Sequence, residues 1–405
     1  LLTSGPTLIK KESSSSSTNY IRLLVVTTHL LLQSSPQTVA KLLPTIVDVI
    51  TQTMSHPDGQ VASSSGAELT KLLRQNLPTL CLGGSHSTGI SATIRNLDKL
   101  LGYKYQSVYS SVLPVLSALF SLPISVSIFE DTLKKLVDLR VTLSVGGSSK
   151  KSSGSGNSKL LPPIDSCIAS CVESLGIEQF LAIVPLSIPA SPSRGQNAPP
   201  IPTERAWLLP LLKTSTPNFD VGGNDDYGNL NGNNKASSNA SANTPPPSLA
   251  YFHNNILPLA RSTDAYSALP SLTPLESSLE KGKVLDLWSL FPTFCRSPSD
   301  LPHLEKIVPL LVRGLNDKRY PGLLPVICQG LVLLVGTSTT SSADSSTTST
   351  AADSSTAETL PLVSPLLLPA LFTLSNTSNA STSPTNASLI NRTISTWATV
   401  SPKSL

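Results

Sequence analysis

Branched apolar residues followed by proline recur along this chain: Leu42-Leu43-Pro44, Leu113-Pro114, Val184-Pro185, Leu208-Leu209-Pro210, Leu257-Pro258, Val308-Pro309, Leu324-Pro325 and Leu368-Pro369. Proline inside a helix costs about 3 kcal/mol and disfavours helical geometry in the residue before it. A simple bundle would not survive so many. A repeated helix pair would, if each proline marks the same kink or the same helix start. The intervals are irregular, but several approach the ~40–47 residues of HEAT and armadillo units once polar stretches are discounted.

The segments between are patterned as helices. Leu304, Ile307, Val308, Leu311 and Leu315 follow one helix face, as do Leu323, Ile327, Leu331 and Leu334. Ile164, Ile168, Cys171, Val172 and Leu175 form a third stripe, and Val284, Leu287, Trp288 and Phe291 a fourth. Each is the one-sided pattern of an amphipathic helix. Ser299 and Asp300 stand where they would cap a helix over Leu301–Leu315, and Gly176 follows the third stripe as a C-cap. Alternating strand patterns are nearly absent. The expected fold is all-α, a HEAT/armadillo-like α-solenoid in which neighbouring pairs cover each other's apolar faces.

Composition supports a core interrupted by polar tracts. Of 405 residues 39% are hydrophobic, but only 13% are charged against about 25% in ordinary domains. Four stretches lack the apolar residues to offset ordering entropy: Ser13 to Thr18, Gly146 to Asn157, Asp220 to Pro247 and Thr337 to Thr356. The expected layout is helical repeats over 1–145, a linker over 146–159 and a helical-repeat domain over 160–336 holding a disordered insertion at 220–247. A disordered Ser/Thr tract over 337–358 and a further repeat beginning at 359–405 complete it. The chain begins at Leu1 and stops without a closing element, which reads as an interior stretch of a longer protein.

No catalytic constellation emerges. His29, His56, His86, His253 and His303 are isolated in sequence, with none of the pair spacings that mark a metal site. The five cysteines, Cys81, Cys167, Cys171, Cys295 and Cys328, are odd in number, dispersed and without a Cys-x-x-Cys. That argues against a disulfide framework or zinc ribbon and for buried thiols in a reducing compartment. No cofactor, metal or small-molecule substrate is expected, and the chain is not expected to be an enzyme. The best membrane candidate, Leu360 to Leu374, is short and broken by Pro361, Pro365 and Pro369. Asn-x-Ser/Thr triplets at Asn239, Asn376, Asn379, Asn386 and Asn391 would be glycan acceptors in a secreted protein, yet such triplets arise by chance in tracts this rich in Asn, Ser and Thr.

Net charge is +4, mildly basic. Lys306, Arg313, Lys318 and Arg319 cluster around the turn joining the two best helical patterns. Two readings stand side by side: a solvated face with cations favoured at a helix C-terminus, or phosphate contacts along a solenoid edge. Aromatics for base stacking are not interleaved with these charges, so base-specific reading of RNA is not indicated.

From Thr203 onward the residues take on a specific look. Glu204 to Lys213 (ERAWLLPLLK), Tyr251-Phe252-His253 running into Ile256-Leu257-Pro258-Leu259-Ala260, and Leu287 to Cys295 (LWSLFPTFC) followed by Pro298 and Asp300 resemble the nucleolar domain of the ribosomal RNA-processing protein 12 family. Leu175-Gly176-Ile177-Glu178 upstream and Ile327-Cys328-Gln329 downstream fit the same domain. The polar insertion at Asp220–Pro247 and the Ser/Thr tract after Gly336 depart from the pattern. The resemblance implies a HEAT-repeat protein of the nucleus and nucleolus, shuttling to the cytoplasm, that acts in pre-ribosomal RNA processing and in maturation and export of pre-ribosomal particles. The implied partners are pre-ribosomal particles and their RNA, ribosome assembly factors and the Ran transport machinery, with no membrane. Trp207, Trp288, Phe291 and Phe294, the aromatics of the matched blocks, are expected in the core. An armadillo-type protein-interaction module without an RNA role is the alternative.

Overall fold

The computed structural model describes residues 14–34, 36–54, 58–81, 87–121, 126–145, 158–186, 205–214, 246–340, 353–378 and 384–401. Among these every regular element is helical, and the chain divides into two compact units. The first comprises Leu1–Val184 with Pro217–Thr244; the second comprises Pro185–Thr216 with Pro245–Leu405.

Unit one is built from α1 (Ser14–Ser34), α2 (Pro36–Met54), α3 (Gly59–Cys81), α4 (Ser87–Lys99), α5 (Tyr109–Phe120), α6 (Val126–Val145), α7 (Leu161–Leu175) and α8 (Ile177–Ile183). The contacts sort these helices into two rows. Alpha helices α1, α3, α5 and α7 touch in succession, as do α2, α4, α6 and α8. That is the two-layered stacking of HEAT pairs, in which each pair hides its neighbour's apolar face.

Close approach within the first row is set by glycine: a Cβ on Gly66 of α3 would stand 2.7 Å from the carbonyl oxygen of Ser111 on α5. The α5–α7 seam carries a hydroxyl pair, Ser117 to Ser170 at 2.8 Å, and Arg140 of α6 donates to Asp165 of α7 at 3.2 Å. Gly176, at φ 79°, ends α7 and turns the chain into α8, as expected of a C-cap.

Unit two holds α9 (Leu208–Thr214), α10 (Leu249–Tyr251), α11 (Leu257–Ser267), α12 (Pro274–Trp288), α13 (Phe291–Phe294), α14 (Leu304–Leu315), α15 (Leu323–Thr340), α16 (Asp353–Ser378) and α17 (Pro384–Ala398). Here α14 packs on α16, while α13, α15 and α17 touch in succession. The stripes of α7, α14 and α15 are all buried, as read from sequence. In the fourth stripe Trp288 is half-buried, and a turn separates it from Phe291. Trp397 of α17 is fully buried and its indole N–H donates to the Leu331 carbonyl of α15 at 3.0 Å.

The prolines do not mark one equivalent corner. Pro44, Pro114 and Pro309 lie inside α2, α5 and α14; Pro258 sits in the first turn of α11; Pro185 follows α8. They are accommodated one by one. Before Pro258 the chain forms a π-turn over Phe252–Ile256, with the Leu257 N–H donating to the Phe252 carbonyl. The wider turn relieves the clash between a proline ring and the carbonyl four residues earlier. In α16, Pro361, Pro365 and Pro369 recur every fourth residue, and the Ser364 hydroxyl donates to the Pro361 carbonyl that Pro365 cannot serve.

Despite these prolines, α16 is one helix, and its window Thr359–Asn376 has a mean hydropathy of 1.3, long and apolar enough to cross a membrane. In the fold, Leu360, Val363, Leu367, Leu368 and Leu371 are buried, and the helix packs on α14, α15 and α17.

Two polar tracts extend into helices. Ser14 to Thr18 form the first turn of α1, where Ser17 is buried; small hydroxylated residues are tolerated at helix starts because they serve the free N–H groups there. Thr337 to Thr340 continue α15. The remainder of that tract up to residue 352, the stretch 146–157 and most of 220–247 lie outside the described residues.

Cys167, Cys171, Cys295 and Cys328 are buried free thiols; the side chain of Cys81 lies outside the described residues. Burial pushes Cys171 up to about 12 and Cys328 to about 11, and raises Cys167 and Cys295 as well. Thiolate is the reactive form. Iodoacetamide at about pH 8 should therefore leave these four unmodified in the native chain and label them all after denaturation, as mass spectrometry would read.

Candidate nucleic-acid interface

The basic cluster is placed by α14 and the turn after it. The buried stripe Leu304, Ile307, Val308, Leu311 and Leu315 fixes one face of α14. Lys306 and Arg313, seven residues apart, project from the opposite face and are exposed, with Lys318 exposed in the following turn. Seven residues are two helical turns, about 10 Å along the axis. None of these three cations forms an ion pair within the described residues.

Arg319 differs. Its guanidinium meets Asp317 at 2.7 Å and the carboxylate of Asp264 on α11 through two nitrogens at 3.2 and 3.3 Å. Tyr320 donates its hydroxyl to the same Asp264 at 2.6 Å. Burial and that bond push the Tyr320 phenol up to about 12, while Arg319 holds Asp317 below the usual carboxylate range. Arg319 is thus the anchor joining the α14–α15 turn to α11. Its charge is answered by two acids.

The family-motif aromatics separate into two kinds. Phe291 and Phe294 are fully buried and surround Phe252, with ring centroids 5.3 and 5.4 Å away. Trp288 meets Phe252 edge-on at 6.0 Å and is half-buried. Trp207 is half-buried in the turn before α9. The row contact above this cluster is close, because a Cβ on Gly330 of α15 would lie 2.5 Å from the Phe291 ring.

Asp300, expected to cap the helix that follows it, makes no side-chain bond there. Its carboxylate instead accepts from the N–H groups of Leu249 and Ala250, both at 2.7 Å, and from the Ser248 hydroxyl at 2.9 Å. It caps a helix start some fifty residues earlier in the chain.

Near it stand His253 and His303, isolated in sequence but 3.1 Å apart between Nδ1 and Nε2. Spacing gives no hint of that pair. Among the described residues no group of three or more His, Cys, Asp or Glu converges on one point. The capping box of α12, Thr273 with Glu276, was available to sequence reading as Thr-Pro-Leu-Glu.

The family model for ribosomal RNA-processing protein 12, HEAT repeats, matches residues 55–222 and 241–378. The chain belongs to this family. Its matched blocks contain α3 to α16, with the aromatic cluster around Phe252 and the α14–α15 turn. Among curated relatives, the human RRP12-like protein is 22% identical over 300 residues, covering 71% of this chain and 19% of the relative. The Gallus gallus RRP12-like protein is 24% identical over 245 residues, covering 60% of this chain and 15% of the relative. In Drosophila melanogaster the RRP12-like protein is 29% identical over 175 residues, 43% of this chain and 10% of the relative. The chain thus spans a fifth or less of the length of these relatives.

Proposed function

We propose that this chain is a non-catalytic HEAT-repeat segment of a ribosomal RNA-processing factor, a scaffold that holds pre-ribosomal particles in the nucleus and nucleolus during their maturation and export. Membership of the family, over most of the chain, is the observation that carries this reading. The fold suits it: stacked helix pairs present extended surface, which binds partners more readily than it encloses substrates. Ribosome assembly factors and the Ran transport machinery are the protein partners of this reading, and pre-ribosomal RNA is the nucleic-acid one.

Within it, the phosphate contacts fall to Lys306, Arg313 and Lys318, which form no ion pair among the described residues. Arg319 is left out because Asp264 and Asp317 already occupy it. Each lysine or arginine that neutralises a phosphate contributes a fixed share to the salt dependence of binding, about 0.7 in the logarithmic slope for single-stranded RNA. Replacing Lys306, Arg313 and Lys318 together with glutamine should lower the slope by roughly 2 and weaken binding to all RNA sequences alike. Arg319→Gln should leave the slope unchanged.

The test of the reading as a whole is sedimentation of the tagged full-length protein. Co-migration with pre-ribosomal particles supports it; migration apart from them, with protein partners only, would favour the RNA-independent interaction module.

A further inference from the structure

We infer that His253 and His303 form an open two-nitrogen chelate for a divalent cation of the copper, nickel and zinc class. The geometry is that of neighbouring ligands: Nδ1 of His253 lies 3.1 Å from Nε2 of His303, with the ring planes inclined at 58°. Metal–imidazole bonds are about 2.0–2.1 Å long, and two of them drawn across 3.1 Å subtend about 95–100°. That lies between the octahedral right angle and the tetrahedral angle. Both rings are half-buried, which leaves the outer coordination positions to water or to a donor from a bound partner.

The scaffold holds the pair in place. His253 sits in the π-turn Phe252–Ile256, and His303 ends the short 3-10 turn Leu301–His303. Asp300 clamps the two elements together through Leu249, Ala250 and Ser248, within about a turn of each histidine. Its oxygens are committed to those bonds, so it positions the rings and is not itself a ligand. Burial first, then Lys306 and His253, lower the His303 pKa against an opposing pull from Asp300.

Where the two rings hydrogen-bond each other, one imidazole donates its N–H to the lone pair of the other. A cation takes a lone pair from each, so the donating ring must carry its proton on the outward nitrogen. The change is a tautomer shift through solvent. Two neutral rings bind with no net proton release; a protonated one must first lose its proton, so affinity falls in acid. Imidazole donors favour copper, nickel and zinc over magnesium or calcium.

The 405-residue chain is titrated with CuCl2, NiCl2, ZnCl2 and MgCl2 near neutral pH and again at about pH 5, below the usual imidazole pKa of about 6.5. The melting temperature should climb with copper, nickel and zinc near neutrality, respond much less in acid, and ignore magnesium. Copper(II) resonance spectra should show two nitrogen ligands in the native chain. His253→Asn or His303→Asn should each remove one of them, and His56→Asn neither. The spectrum counts ligands even if a variant melts lower for structural reasons. A copper signal that survives in the double variant, or no nitrogen-ligated copper at all, would overturn the chelate. Either result leaves the RNA reading untouched, since that rests on other residues.

Discussion

Replacing Phe291 with alanine should destabilise unit two by about 3–5 kcal/mol, the cost of emptying a fully buried aromatic site. At roughly 2–4 °C per kcal/mol for an array of this size, its melting transition should fall by about 6–20 °C. The ring is held on both sides, by Phe252 at 5.3 Å and by the bare backbone of Gly330. Gly330→Ala, which drives a methyl group into that ring, should cost about 1–3 kcal/mol alone. The two changes share a site and should not add: the alanine at 330 is tolerated better once the phenyl ring is gone. Additive losses in a double-mutant cycle would show that the close approach of α13 and α15 does not depend on this pair. A Phe291→Ala chain that melts like the native one but loses a partner would move the residue from core to contact.

Asp300→Ala should be nearly as damaging, about 2–4 kcal/mol. One carboxylate serves two backbone N–H groups and a hydroxyl; a hydrogen bond to a charged acceptor is worth about 1.5–3 kcal/mol, and bonds that share one acceptor do not add. Removing it leaves the Leu249 and Ala250 N–H groups without that acceptor, with only the Ser248 hydroxyl still capping Tyr251, and releases the π-turn from the 3-10 turn before α14. Ser248→Ala keeps both backbone bonds to Asp300 but loses the hydroxyl that caps the Tyr251 N–H at 3.2 Å, and should cost about 1 kcal/mol. Chemical denaturation of the three chains side by side checks the ranking, and equal losses for Asp300→Ala and Ser248→Ala would contradict it.

What could be read in advance was whatever a single helix writes along its own sequence. The stripe Leu304, Ile307, Val308, Leu311 and Leu315 needs nothing but its spacing, and every member is buried. Gly176 as a C-cap is equally local. Asp300 shows where that information stops: a cap is recognisable, but the helix it caps lies at Ser248, beyond any local window. Arg319 looks like a free cation until Asp264, 55 residues away in sequence, is brought against it. His253 and His303 are invisible for the same reason. The prolines misled differently. Their recurrence suggested one shared position, whereas each is relieved by local means: a π-turn before Pro258, a serine hydroxyl near Pro365.

Within each unit the described helices pack mainly on their neighbours in the rows, and that bears on how such a chain changes over time. Lengthening a connection between two elements leaves every packed surface where it was. The entropic toll is mild, about 0.6 kcal/mol for each doubling of a flexible connection. Polar sequence can therefore accumulate between α9 and α10, or between α15 and α16, almost without penalty, while a single methyl group added at Gly66 or Gly330 meets immediate steric resistance. Drift in the family should be fast at the corners and slow at the glycines along the rows.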